Sequence, residues 1–205
     1  MTKSERTTKF ILETVAPVFN KHGYVGTSMS ELTEATGLTK GAIYGNFKGG
    51  KEELAVEVFN YTVRRIMWKM AEKVNSQTTA TAKFRAITDF YRNTYVKHMN
   101  DFGGCAILNT GVDAHYLSPA LFQRVKEVIG KLKRNLTNIV QEGMESGEFL
   151  PDLDAEQVGS RMYAMIQGSI FLTTTLEEGD HLIDMMNQID RMVERDLIAQ
   201  TPSQA

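Results

Sequence analysis

The sequence contains one cysteine, so no internal disulfide can staple it and its stability has to come from buried apolar surface. No apolar run approaches the ~20 residues of a bilayer span, which excludes a membrane helix. The N-terminus, Met1-Thr2-Lys3-Ser4-Glu5-Arg6, runs straight into a charged amphipathic pattern with no apolar signal core. The expected location is the reducing cytoplasm. A surplus of one charge sign is missing as well: 23 Lys and Arg against 25 Asp and Glu leave a net charge of −2, so the chain as a whole is not a polycation built to coat nucleic acid. Sustained period-two alternation is absent, and with it the signal for strands; there is no repeat and no low-complexity tract. There is no Cys-x-x-Cys, no His-x-x-x-His and no activated-serine elbow, and His98, Asp113 and His115 do not form a ligand set with Cys105. Neither a metal, a cofactor nor an enzymatic activity is expected.

The charge is unevenly distributed. Residues 1–50 hold six Lys or Arg and four Asp or Glu, whereas residues 51–205 hold seventeen and twenty-one. The basic end also carries the most informative stretch, residues 27–47, which reads as two short helices around a turn. Ser28 can cap the first, with Glu31 three residues on closing a capping box, and Gly37 supplies the left-handed residue that stops it. Thr39 then caps a second helix whose first turn holds Lys40 and Gly41. Such compactness is what a helix-turn-helix requires, because one helix braces the other against the floor of the major groove. By reach, Lys40 can donate to guanine or to a phosphate. Gly41 lets the backbone approach closely, and the hydroxyls of Thr27, Ser28 and Thr39 can bond phosphate while capping.

The rest of the chain follows helical spacing throughout. Ser4 is a plausible cap for a first helix with Phe10, Ile11, Val15, Val18 and Phe19 on one face, ending at Gly23 and bent at Pro17. Lys51 opens a long helix through Leu54, Val58, Tyr61, Ile66, Met70 and Val74, and the polar run 75–81 separates it from a helix carrying Phe84, Ile87 and Phe90. Gly103-Gly104 interrupts before an apolar segment at 105–112. Ser118-Pro119, Asp154 and Asp180 then start three further helices. The expected fold is all-α with about nine helices. It comprises an N-terminal three-helix DNA-binding domain over residues 1–50 and a larger helical domain over residues 51–205.

The wording of residues 27–47, with Gly23-Tyr24 before it and Lys51-Glu52-Glu53-Leu54 after it, resembles the N-terminal domain of the tetracycline-repressor (TetR) family of bacterial regulators. The resemblance extends over the remaining two thirds through length, helical pattern and the segment 104–110. It implies a dimeric repressor that binds a palindromic operator in double-stranded DNA and is released by a small-molecule effector, with the last two helices forming a four-helix bundle with a second copy. On that bundle, Ile170 and Met186 are expected to face the partner. Tyr44 matches the family tyrosine that contacts backbone phosphate, and it also suits a half-buried core position. Asn46 stands where the family often has histidine. The segment 47–54 is one residue longer than the commonest family form, and Lys48 and Lys51 around its glycine pair are the expected phosphate contacts.

Candidate effector contacts come from helices expected to converge: Phe90, Tyr91, Thr94, Tyr95, Cys105, Asn109, Phe122, Met162, Met165, Ile166 and Phe171. Together they would line an apolar, adaptable cavity for a lipophilic molecule, with Arg92 and Arg161 able to reach a carboxylate. Aromatic and methionine residues at this spacing serve equally as plain core. Cys105, near a helix start, fits either a small buried apolar residue or a thiol sensor of electrophiles and oxidants. An architectural DNA binder without an effector is the other reading.

Overall fold

A computed structural model describes residues 1–97 and 105–199, and among them the chain forms nine helices and no strand. The apolar spacing places them close to where the sequence suggests, and the caps set their ends. Helix α1 (Lys3–Gly26) starts slightly before the expected Ser4 cap because Thr2 and Glu5 form a reciprocal capping box. The chain passes Pro17 with helical dihedrals, and the departure falls at Gly23 (φ 72°, ψ 178°), a conformation that only glycine adopts without strain.

Helix α2 (Met29–Thr36) has the Ser28–Glu31 capping box, with the Glu31 N–H donating to Ser28 Oγ at 3.2 Å and the Ser28 N–H to Glu31 Oε2 at 2.7 Å. Gly37 ends it at φ 65°. Helix α3 (Lys40–Asn46) is capped by Thr39, whose hydroxyl accepts from Ala42 N at 3.2 Å. Helix α4 spans Gly50–Asn75, and α5 (Ala80–Phe90) continues into a π-helical turn, Tyr91–Tyr95. Helices α6 (Ala106–Ala114), α7 (Pro119–Glu145) and α8 (Ala155–Leu176) follow, and α9 (Asp180–Met192) ends in a second π turn, Val193–Leu197. Helix α8 stops at Glu177, which takes the left-handed conformation at φ 58°. The Gly103-Gly104 interruption and His98 lie outside the described residues.

The chain divides into two compact units, Met1–Met67 with Met99–Val128 and Trp68–His98 with Ile129–Ala205. The first is built around Ile11, Val15, Leu32, Ile43, Phe47 and Leu54, all essentially buried. Its helices are also tied by side-chain bonds across long sequence separations. Asn109 Nδ2 donates to the Asn20 carbonyl at 3.0 Å, Ser118 Oγ to Glu52 Oε1 at 2.7 Å, and Arg124 Nε to Asn60 Oδ1 at 2.6 Å.

The second unit buries Phe84, Phe149, Met162, Ile170, Leu182 and Met186, with the rings of Phe84 and Phe149 stacked at 6.2 Å. Helices α7 and α8 cross closely at Gly159, where a Cβ would fall 2.8 Å from the Thr137 backbone nitrogen. The start of α5 is capped from a distance in sequence, because the Glu148 carboxylate accepts from Ala80 N at 2.7 Å and Thr81 N at 2.9 Å. Burial opposes the charge on Glu148, but these backbone bonds act to hold it below the usual carboxylate range.

Candidate nucleic-acid interface

Three buried side chains hold the helix-turn-helix from beneath: Leu32 from α2, Ile43 from α3 and Phe47 just after it. With that face inward, α3 turns Lys40, Gly41, Ala42 and Gly45 to solvent, with Thr39 exposed at its cap. Lys40 Nζ lies 5.6 Å from the centre of the Tyr44 ring, so cation and aromatic share one patch. Tyr44 is half-buried and packs against Gly50, whose added Cβ would sit 3.6 Å from Tyr44 Cε1. Ser28 and Lys48 are exposed on either side of this patch in sequence.

Two of the expected DNA contacts are used inside the protein. Thr27 is fully buried and donates its hydroxyl to the Gly23 carbonyl at 2.7 Å, so that hydroxyl braces the α1–α2 turn instead of reaching a phosphate. Asn46 donates from Nδ2 to the Ala42 carbonyl at 2.9 Å and accepts at Oδ1 from Thr8 at 3.2 Å, which ties the end of α3 to α1. Lys51 is half-buried, with Nζ 4.6 Å from the centre of the Tyr24 ring. Burial pushes its pKa below the ordinary lysine value while Asp113 and Glu31 act to keep it charged. The neighbouring Tyr24 phenol is raised, by burial first and then by Glu52 and Asp113.

The glycines of α3 supply information that spacing alone does not. A Cβ at Gly45 would meet nothing within 4 Å, and one at Gly41 only Thr39 Oγ1 at 4.0 Å. Folding therefore does not require either residue to be glycine, although each costs a helix about 1 kcal/mol relative to alanine. Bare backbone at two positions one turn apart makes room for something that approaches the exposed face closely. Gly45 is absent from the contacts expected on sequence grounds, and the signal that could have found it is this unexplained helix breaker.

The proposed effector residues fall in both units. In the second, Phe90, Tyr91 and Tyr95 are buried together, the Phe90–Tyr91 rings edge-on at 5.6 Å and the Tyr91–Tyr95 rings tilted at 5.4 Å. Thr94 and Met165 are half-buried, and Met162 and Ile166 are buried. Phe171 departs from this set: it is 56 % exposed on the outer side of α8. Arg92 is committed to Asp190 at 2.7 Å, Asp89 at 2.8 Å and Asn187 at 2.9 Å, which takes it out of the role of carboxylate receptor. Burial opposes its charge, but the two aspartates outweigh burial and raise its pKa. Arg161 is exposed and bonds Gln157 at 3.1 Å.

In the first unit, Cys105 is buried at the residue preceding α6, and Asn109 makes the bond to Asn20 described above. Phe122 is half-buried and stacks on His115 at 4.4 Å. A cavity of about 20 Å³ in this unit, lined in part by Asn20, Tyr24, Thr62, Ala106 and Thr110, includes none of the proposed effector contacts and has room for about one water molecule. Among the described residues no group of three His, Cys, Asp or Glu side chains is placed to hold a metal, and no helix is long and apolar enough to cross a membrane.

Comparison with known proteins fixes what this arrangement belongs to. Residues 11–58 match the model of bacterial regulatory proteins of the tetR family, and residues 80–189 match that of the tetracyclin repressor-like C-terminal domain. The chain belongs to the TetR family. A solved TetR-family regulator from Cytophaga hutchinsonii is 32% identical, with a TM-score of 0.90 over 98% of this chain and 99% of that one. Among curated relatives, the uncharacterized HTH-type transcriptional regulator YxaF of Bacillus subtilis (strain 168) is 25% identical, covering 90% of this chain and 94% of its own. The HTH-type transcriptional regulator LmrA of the same strain is 24% identical, covering 90% and 95%. Further relatives carry the name repressor. The chain is accordingly a TetR-family transcriptional regulator with a DNA-binding helix-turn-helix at α2 and α3.

Proposed function

We propose that this TetR-family protein is a repressor acting in the cytoplasm, which binds a palindromic operator as a homodimer and is released by a small lipophilic effector. In this reading, residues 1–50 make the DNA contacts and residues 51–205 serve the effector and the second copy. The observation that carries it is the exposed face of α3, where Lys40 stands over Tyr44 beside two glycines that the fold does not require. On that face Lys40 reaches base edges, Gly41 and Gly45 admit the groove floor, and Tyr44, Ser28, Thr39, Lys48 and Lys51 serve the phosphates.

Dimerisation is supported by one side of α8. Gly168, Phe171, Leu172 and Leu176 are all exposed, and they recur at spacings of three and four along the helix. Gly168 has open space where a side chain would stand, so a second helix can approach closely there. A two-fold pair places two copies of α3 on successive half-sites about one duplex turn, ~34 Å, apart or a multiple of that.

A lipophilic effector is supported by the aromatic and methionine character of the second unit, Phe90, Tyr91, Tyr95 and Met162 above all, and by the engagement of Arg92 with aspartates. Burial of Cys105 speaks for effector release that does not pass through thiol chemistry. Selection of binding sites from random duplex DNA tests the reading: a two-fold symmetric consensus is expected. Enrichment of no sequence, or of an asymmetric single half-site, would sink it. Effector gating is then checked by melting the protein with a panel of lipophilic compounds, where a compound that stabilises the protein should also release the selected palindrome.

A further inference from the structure

The turn between α1 and α2 is held by a residue far along the chain. The Val25 N–H donates to Asp113 Oδ2 at 2.8 Å, across 88 positions of sequence. The backbone at Gly23 comes so near that a Cβ there would lie 2.8 Å from the same oxygen, which is a second reason, besides its φ of 72°, for glycine at that position. Asn109, one turn earlier on α6, holds the Asn20 carbonyl near the end of α1. Thr27, just after Val25, is buried with its hydroxyl on Gly23, and Ser28 then opens α2. Asp113 is also an opposite charge close enough to favour the ammonium of Lys51, which sits over the Tyr24 ring. One carboxylate on α6 thus fixes the backbone from which α2 and α3 depart and acts on a lysine at the start of α4.

We infer that Asp113 is a positioning residue for operator binding, setting the α1–α2 turn and through it the attitude of α3 without touching DNA. The inference rests on the operator-binding function proposed above. A carboxylate near a DNA-binding face would otherwise act only by repelling phosphate, and the two roles have opposite signs. Removing a repulsive charge tightens binding to every duplex alike. Removing a positioning bond weakens binding to the matched sequence and leaves non-specific affinity in place.

The test compares Asp113→Asn, which keeps an oxygen able to accept from Val25, with Asp113→Ala, which does not. Affinity is measured for the palindrome selected by the wild-type protein and for a random duplex of equal length, and amide hydrogen exchange is followed at Val25 without DNA. The expected result is that Asp113→Ala loses about tenfold on the palindrome, with faster exchange at Val25, whereas Asp113→Asn stays within about threefold of wild type. On the random duplex the two variants should match. If Asp113→Ala melts early, Asp113→Leu keeps the side-chain bulk without the acceptor and replaces it in the same comparison. Equal palindrome affinity for the alanine and asparagine variants, tighter binding of both to all DNA, or unchanged Val25 exchange would overturn the inference. Failure of the wild-type protein to select a palindrome would instead count against the proposed function, and the exchange experiment would still decide whether Asp113 holds the turn.

Discussion

The lysines around the helix-turn-helix differ in how free their charges are, and this separates their expected effects. Lys40 and Lys48 are exposed, whereas Lys51 is half-buried over Tyr24 with Asp113 and Glu31 nearby. Lys48→Ala should weaken binding to all sequences alike and flatten the plot of log affinity against log salt by about 0.9 for each phosphate that the lysine neutralises. Lys40→Ala should cost about 1 to 3 kcal/mol of discrimination at one position of each half-site, measured by competition with single-base operator variants. Uniform weakening for Lys40 would reduce it to a phosphate-binding role. Lys51→Ala should combine a shallower salt slope with a lower melting temperature, because this side chain also covers the Tyr24 ring. Thr27 and Asn46 resemble DNA contacts in the sequence because hydroxyl and amide groups at helix ends suit phosphate, but the same groups suit backbone carbonyls. Sequence does not rank the two uses, and the carbonyls of Gly23 and Ala42 claim them by proximity.

Within single elements, caps and glycines are the sensitive points. Gly45→Ala should stabilise the protein by up to about 1 kcal/mol in urea unfolding, since its site is open, and should weaken operator binding because the added methyl stands on the exposed face of α3. A variant that is more stable and binds equally well would show that Gly45 faces no partner. At α5, Glu148→Ala should cost about 1 kcal/mol at neutral pH by removing the cap on Ala80 and Thr81. The folded-state pKa of Glu148 is lowered, so its contribution is present above the unfolded value of about 4 and is lost as pH falls through the folded value. The stability difference between variant and wild type should therefore shrink on acidification, and a gap that is constant with pH would rule out the carboxylate as its source.

For the molecule as a whole, the proposed dimer turns on which side of α8 would meet a second copy. Apolar spacing puts Ile170 and Met186 there, but both are essentially fully buried in the second unit, while Phe171 and Leu172 stand at 56 % and 43 % exposure. A phase shift of one residue on a helix is about 100°, enough to exchange inside for outside. Leu172→Glu should give a folded monomer in sedimentation velocity, with operator affinity falling because two half-sites are no longer bound together. Ile170→Glu should lower the melting temperature sharply before any change of assembly is visible, since it buries a charge without a partner. A folded dimer from Leu172→Glu would place the interface elsewhere.

The all-α fold, the helix-turn-helix with its Ser28–Glu31 box, Gly37 stop and Thr39 cap, and the resemblance to the TetR family are all legible in the sequence. The caps and stops depend on residues within a single turn of one another, and local dihedral and hydrogen-bond preferences act at that range. Tertiary structure alone decided the rest. It buried Thr27 and engaged Asn46, gave Arg92 to Asp190, turned Phe171 outward and placed Asp113 on Val25. Such pairings depend on which faces of distant helices meet, and an amphipathic pattern marks an apolar face without naming the neighbour that will cover it.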